Sequence, residues 1–469
     1  MAKSKLIMAA EGLNSDELNA ARKYIKQKYQ SKRLDLIKLF ELVTSNSIDK
    51  PKESIWKKIY GSKTPYNDLK WRAITMQLNA DLVEILTNRY TIDTNSELGS
   101  LIKVKTFFNK KLNKHFESSW IELEKIKKRP RHSDHYYYLS KAHEIKQNLI
   151  FQKGSKHLTF EDLHESERYN DIYYRCQKLK NGCYAIANQI TLNANIELKD
   201  DFINTSLLEF GEIIPLINLY GSIIFLFRNK EDSKLEDCQN MFVESIDKIH
   251  KEEALNILTL LMNYCIDFKI NKGEMLFFHN LFGLYQLGIN KGILFDKENL
   301  NPMHYKNIIT VGLQTQNYEW TKSFIEQYTA RIPKEDQENA YNFNMAKVLF
   351  EQEEYQEVLE LLNTVDYQNI QYMLGTKILQ MKTYYELDED QALEALIESF
   401  RVLLVRTTKI PKDLKTQYLE FLKYLKKLIY LNPYEYYDLD KFKEAIVNNP
   451  KIARKKWLLK KLELKNKKA

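Results

Sequence analysis

Four short runs in this 469-residue chain bring together side chains able to do chemistry. His143-Glu144-Ile145-Lys146-Gln147 and His164-Glu165-Ser166-Glu167-Arg168 begin as the zinc-peptidase motif does. There, two histidines one helical turn apart hold a metal and the glutamate between them acts as base. Gln147 and Arg168 stand where the second histidine belongs, so neither run supplies the ligand pair, and both read as surface helix. Gly61-Ser62-Lys63-Thr64 has the ending of a phosphate-binding loop, but no glycine stands five residues ahead of Gly61 and no strand precedes it; it reads as a plain loop. Arg131-His132-Ser133-Asp134-His135 is the densest His/Asp cluster. A metal there would need His143 to turn inward, and a solvated helix entry is the simpler reading. Tyr136-Tyr137-Tyr138 beside it reads as core packing, although basic residues next to aromatics can also grip single strands. Nucleophile-elbow and dinucleotide glycine patterns are absent. The expectation is a non-enzymatic protein with no catalytic residue, no metal site and no cofactor.

The elements that would position any site are helices. Only 13 Gly and 9 Pro punctuate the chain, too few for a turn-rich β architecture. Asn14 and Glu17 have the spacing of a reciprocal N-terminal cap. Helical patterns follow at about 15–45, 51–60, 66–90, 97–128, 135–152 and 160–192, and paired helices with short turns follow from about 199.

The run 339–366, NAYNFNMAKVLFEQEEYQEVLELLNTVD, reads as one complete helical hairpin of the tetratricopeptide (TPR) type. Tyr341, Met345, Val348 and Leu349 stripe the first helix, Ala346 lets the helices approach, Glu353-Glu354-Tyr355 makes the turn, and Tyr355, Val358, Leu359, Leu362 and Val365 stripe the second. The pattern recurs: Thr321, Phe324 and Ile325 correspond to Val358, Leu361 and Leu362, and these to Leu393, Leu396 and Ile397. A lone hairpin cannot bury such stripes, so the expected fold is all-α, a right-handed α-solenoid of TPR-like hairpins. The first helices of such hairpins line a concave groove. In this register Asn307 and Asn344 share one groove row, Lys347 and Lys382 a second, Lys306 and Phe343 a third, and Phe350 and Tyr385 a fourth. Asn amides can hold an extended peptide backbone and lysines attract carboxylates, so these eight residues are the candidate partner-binding set, expected to face solvent. They partly resemble the carboxylate-clamping TPR modules, which have a second Asn where Lys347 stands.

Several phrases, in order along 60–469, resemble an uncharacterised bacterial family of TPR-like proteins. They are KTPYNDLKWRAITMQLNADLVEIL (63–86), YNDIYYRCQKLKNGC (169–183), NYCIDFKINKG (263–273), YKNIITVGLQTQNYEWTKSFIEQY (305–328), YYELDEDQALEALIESFRVLLVR (384–406) and KKWLLKKLE (455–463). The resemblance implies an all-helical repeat fold in a bacterial cell and brings no activity, substrate or catalytic residue.

Composition sets the remaining bounds. Cys176, Cys183, Cys238 and Cys265 are too few and scattered for a disulfide framework and read as buried thiols in a reducing cytoplasm. The most apolar stretch, IIPLINLYGSIIFLF over 213–227, is too short for a membrane span and reads as a buried helix. The net charge is +8, and nine basic residues within 451–469 against Glu463 alone account for all of it. The organisation reads as an N-terminal helical region (1–152), divergent hairpins (153–303), TPR-like repeats (304–406) and C-terminal helices with a basic capping helix (407–469), in which Trp457, Leu458 and Leu462 dock. The expected function is a cytoplasmic scaffold that holds a protein or peptide partner in its groove. The alternative is a nucleic-acid-associated repeat protein using the basic segments 125–131 and 451–468.

Overall fold

A computed structural model describes residues 4–30, 32–45, 51–91, 96–126, 131–152, 159–192, 198–365, 370–408, 410–431 and 436–467. These residues form twenty-three α-helices with one two-residue β-hairpin, β1 (Phe295–Asp296) and β2 (Asn299–Leu300). The first eleven helices are α1 (Lys5–Glu11), α2 (Ser15–Tyr29), α3 (Leu34–Thr44), α4 (Lys52–Tyr60), α5 (Asp68–Thr91), α6 (Glu97–Asn109), α7 (Asn113–Ile126), α8 (Ser133–Gln152), α9 (Glu161–Leu192), α10 (Asp200–Phe210) and α11 (Pro215–Asn229). Then come α12 (Ser233–Ser245), α13 (Lys251–Asn263), α14 (Phe277–Asn290), α15 (Pro302–Gln314), α16 (Tyr318–Tyr328), α17 (Gln337–Glu351), α18 (Tyr355–Asn363), α19 (Ile370–Glu386), α20 (Asp390–Arg406), α21 (Lys412–Tyr430), α22 (Tyr436–Asn448) and α23 (Lys455–Lys467). The described residues are all-α apart from that hairpin, as the scarce Gly and Pro imply. The chain divides into two compact units, and neither is continuous in sequence: 1–182 with 198–221 and 245–250, and 183–197 with 222–244 and 251–469.

In the first unit α2 starts with the expected reciprocal cap. The Glu17 amide donates to Asn14 Oδ1 at 3.0 Å and the Asn14 amide donates to Glu17 Oε2 at 2.9 Å. Two of the long helical patterns are broken. The stretch 15–45 is interrupted after Tyr29, where Gln30 takes φ +37°, and 97–128 is interrupted after Asn109, where Lys111 takes φ +54°. Both breaks use non-glycine residues in left-handed conformations, so composition carried no sign of them. Leu36, Leu39, Phe40, Trp56, Trp71, Ile74 and Leu78 bring α3, α4 and α5 together in one core. Buried Asp81 on α5 accepts hydrogen bonds from Tyr29 and Lys28 of α2.

In the second unit the helices from α15 to α21 pack each on its successor, and α15 and α19 also touch α17. Three of the turns are built alike. Gln316, Glu353 and Asp388 adopt φ of +59°, +64° and +55°. The next residues, Asn317, Glu354 and Glu389, then take (φ, ψ) of (−85°, 61°), (−84°, 63°) and (−86°, 64°). Their amides donate back to Gly312, Leu349 and Tyr384, each at 2.9 Å. This backward bond closes the last turn of the preceding helix and satisfies one of its orphan carbonyls. Four residues beyond the turn, Thr321, Val358 and Leu393 are each fully buried. The register read from the apolar stripes is therefore the register of the backbone. Gly312 is required by close approach, since a Cβ there would lie 2.1 Å from Thr321 Oγ1.

Candidate ligand-binding site

The first helices of the three hairpins carry the candidate residues. Lys306 and Asn307 lie on α15, Phe343, Asn344, Lys347 and Phe350 on α17, and Lys382 and Tyr385 on α19. Phe343 and Phe350 form apolar walls; a Cβ on Gly375 of α19 would lie 2.5 Å from the Phe343 ring, so that glycine makes room for it. Lys347 Nζ stands 5.9 Å from the Phe343 ring centre, and Lys382 Nζ stands 4.1 Å from that of Phe350. Such cation–π contacts hold an ammonium without neutralising it.

The expectation that the eight candidates face solvent fails for most of them: Asn344 and Phe350 are buried, and only Lys306 is exposed. Asn344 is 3% exposed; its amide donates to the Ala340 carbonyl at 2.8 Å and its oxygen accepts from Lys347 at 3.4 Å. Its hydrogen-bonding capacity is used within α17, so it orients Lys347 rather than holding a peptide backbone. Asn307 is half-buried and hydrogen-bonds the Tyr285 hydroxyl of α14. Lys347 and Lys382 are likewise half-buried, not solvent-facing, with their ammonium groups over aromatic rings.

The sequence reading missed the contribution of the chain's end. Arg454, at φ +56° just ahead of α23, lies close enough to Lys347 and Lys382 for its charge to act on both. Trp457 packs edge-on to Tyr385 at 5.4 Å and lies 5.5 Å from Lys382 Nζ. Its indole Nε1 is buried without a hydrogen-bond partner. Burial, then Arg454 and Lys306, against the opposing pull of Glu351, pushes Lys347 down to about 8. Burial, with Arg454 and Lys461 against the opposing pull of Glu351 and Glu386, does the same to Lys382. Among the described residues no carboxylate lies within ion-pair distance of Lys306, Lys347, Lys382 or Arg454. Lys347 and Lys382 are half-buried and Lys306 and Arg454 exposed, so the cluster is a local excess of positive charge.

Three further lysines of the basic C-terminus are engaged within the chain. Lys461 pairs with Glu386, Lys455 donates to the Val447 and Asn449 carbonyls, and Lys465 donates to Leu428 and Ile429 at 2.7 and 3.2 Å, capping α21. Leu458 and Leu462 are buried and Trp457 is half-buried, as the docking pattern required. Of the segment 125–131, residues 127–130 lie outside the described residues.

The histidine runs of the first unit are structural. His143, read as a surface residue, is 5% exposed and its Nδ1 lies 2.7 Å from Asp162. Lys146 reaches the same carboxylate at 3.1 Å and sits 4.5 Å from the Trp120 ring centre. His135, also buried, shares the Glu97 carboxylate with His132. Against the upward push of burial, hydrogen bonds from His132 and His135 hold Glu97 down at about 2. These contacts tie α6 to the start of α8, and α8 to α9. No group of three or more His, Cys, Asp or Glu among the described residues is placed to hold a metal ion. All four cysteines are buried and none forms a disulfide, and no helix of the described residues is long and apolar enough to cross a membrane.

No protein-family model, curated protein or solved structure matches this chain.

Proposed function

We propose that this chain is a non-enzymatic, cytoplasmic helical-repeat scaffold. Its TPR-like hairpins take an acidic segment of a protein or peptide partner along α15, α17 and α19. The observation that carries this reading is the convergence of Lys306, Lys347, Lys382 and Arg454 without a carboxylate partner. The like-built turns at Gln316, Glu353 and Asp388 support the repeat reading, and four buried cysteines without a disulfide fit a reducing compartment. In this arrangement Lys347 and Lys382 meet a carboxylate, Trp457 Nε1 donates to it, and Phe343 and Phe350 flank the adjoining side chain.

The test is fluorescence anisotropy with a labelled hexaglutamate peptide, repeated with a single-stranded RNA of similar charge. Saturable peptide binding that falls at least tenfold in a Lys347→Gln/Lys382→Gln variant is expected. RNA binding that survives the double substitution, with no peptide binding, would replace this reading by a nucleic-acid one. The expected salt dependence is shallow, since two to four charges are engaged rather than a long basic track.

A further inference from the structure

Helix α5 (Asp68–Thr91) overlaps the phrase 63–86, which the binding function above does not use, and it is apolar on two faces. One face is core: Trp71, Ile74, Leu78 and Leu82 are buried. The other carries Leu69, Ala73, Met76, Ala80, Val83 and Thr87, all exposed. Leu69 is 79% exposed, Met76 73% and Val83 44%. The six alternate at spacings of four and three, which is the seam of a two-helix coiled coil. A helix that only covers a core would carry charge there.

We propose that this seam pairs with the same seam of a second copy of the chain, antiparallel, about a two-fold axis at the level of residue 78. Three features select that occupant and direction. The layers are complementary in size: Met76 meets Ala80, Val83 meets Ala73, and Leu69 meets Thr87. The Thr87 hydroxyl already donates to the Val83 carbonyl at 2.8 Å, so its methyl is left to pack. The flanking row is also self-complementary. It reads Lys70, Gln77, Glu84, so an antiparallel pair sets each Lys70 beside Glu84 of the second copy and Gln77 beside Gln77. Glu84 stands 3.4 Å from Lys28 of its own chain yet remains 49% exposed, open to a second cation. A parallel pair would face this row against Arg72, Asn79 and Leu86, which holds no carboxylate. A C2 interface of this kind uses one patch twice and closes on itself. The alanines let the helix axes approach to about 8 Å. A single pair of helices is small for a specific interface, so the dimer is expected to dissociate in the micromolar range.

Sedimentation equilibrium of the full chain tests this. The wild type should show a reversible monomer–dimer equilibrium, and Met76→Glu should raise the dissociation constant at least tenfold with unchanged circular dichroism. Lys70→Glu should weaken the dimer, and Lys70→Glu with Glu84→Lys should restore it. Because the native thiols are buried, Gln77→Cys should form a disulfide-linked dimer under mild oxidation, and Arg72→Cys, on the other flank, should not. A wild-type monomer at high micromolar concentration, or equal cross-linking of the two cysteine variants, would overturn the proposal.

Discussion

A lysine drawn half out of water with no carboxylate within ion-pair distance costs free energy, and Lys347 and Lys382 are two such groups in one site. The sign follows from their depressed titration near 8, against an ordinary 10.5. Between those values the unfolded chain holds more protons, so stability rises with pH through that window, and below about 8 the penalty is full. Lys347→Met keeps the stem and removes the charge, so at neutral pH it should stabilise the free protein by about 1 kcal/mol or more in urea unfolding. A loss of stability would mean that the ammonium has a structural partner. An anion bound there reverses the balance and raises both lysines. Binding should therefore take up protons near pH 8 and weaken above it, which calorimetry in buffers of differing ionisation enthalpy reads directly. Glu97 has the opposite sign: its depressed carboxyl contributes stability that is present above the ordinary glutamate range and lost as pH falls toward about 2. Glu97→Gln should lower the melting temperature at pH 6, and the difference should vanish near pH 2. At this scale the sequence was only partly legible. Residue type and spacing placed Lys347 and Lys382 in one row, but whether a polar side chain faces water depends on what covers it. The lysine ammonium groups lie over the rings of Phe343 and Phe350, and Asn344 turns back onto its own helix. His143, read as a surface residue, found Asp162, nineteen residues away in sequence.

Among the elements, the hairpins were the most readable because burial repeats with the helical period. Val358 and Leu362 are both fully buried on α18, and so is Ala346 on α17, where two helices approach. Leu362→Ala should cost about 2–5 kcal/mol in urea unfolding, the usual range for a buried leucine that leaves a cavity. A near-zero effect would contradict the packing of α18. The turns were less readable. Gln316, Glu353 and Asp388 do with a side chain what glycine does freely, and left-handed φ in a non-glycine residue is strained. Glu353→Gly should therefore leave stability unchanged or raise it by up to about 1 kcal/mol, whereas the β-branched Glu353→Val should lower it. The breaks after Tyr29 and Asn109 were invisible for the same reason: Gln30 and Lys111 carry no compositional mark of a turn.

For the whole chain, the net charge of +8 resides in its last nineteen residues, and the structure gives much of that charge a job. Lys465 caps the C-terminal carbonyls of α21, where a cation also favours the helix dipole, and Lys461 answers the half-buried Glu386. Truncations separate these roles. Removing 467–469 deletes no described contact and should leave the urea midpoint unchanged. Removing 465–469 deletes the cap on α21 and should cost about 1 kcal/mol, the scale of a charged helix-end contact. Removing 451–469 also takes away buried Ile452, Leu458 and Leu462, uncovers the core around Phe421 and Leu425, and strands Glu386. Burial of the two leucines alone is worth roughly 4 kcal/mol, so this variant should unfold at much lower urea and scatter light as its apolar face associates. Trp457→Ala is the control that separates binding from capping. The indole is only half-buried, so its loss should weaken hexaglutamate binding well before it lowers the urea midpoint. Equal midpoints for the three truncations would show that α23 does not close the hairpin stack. Its lysines would then be free for an acidic surface outside this chain.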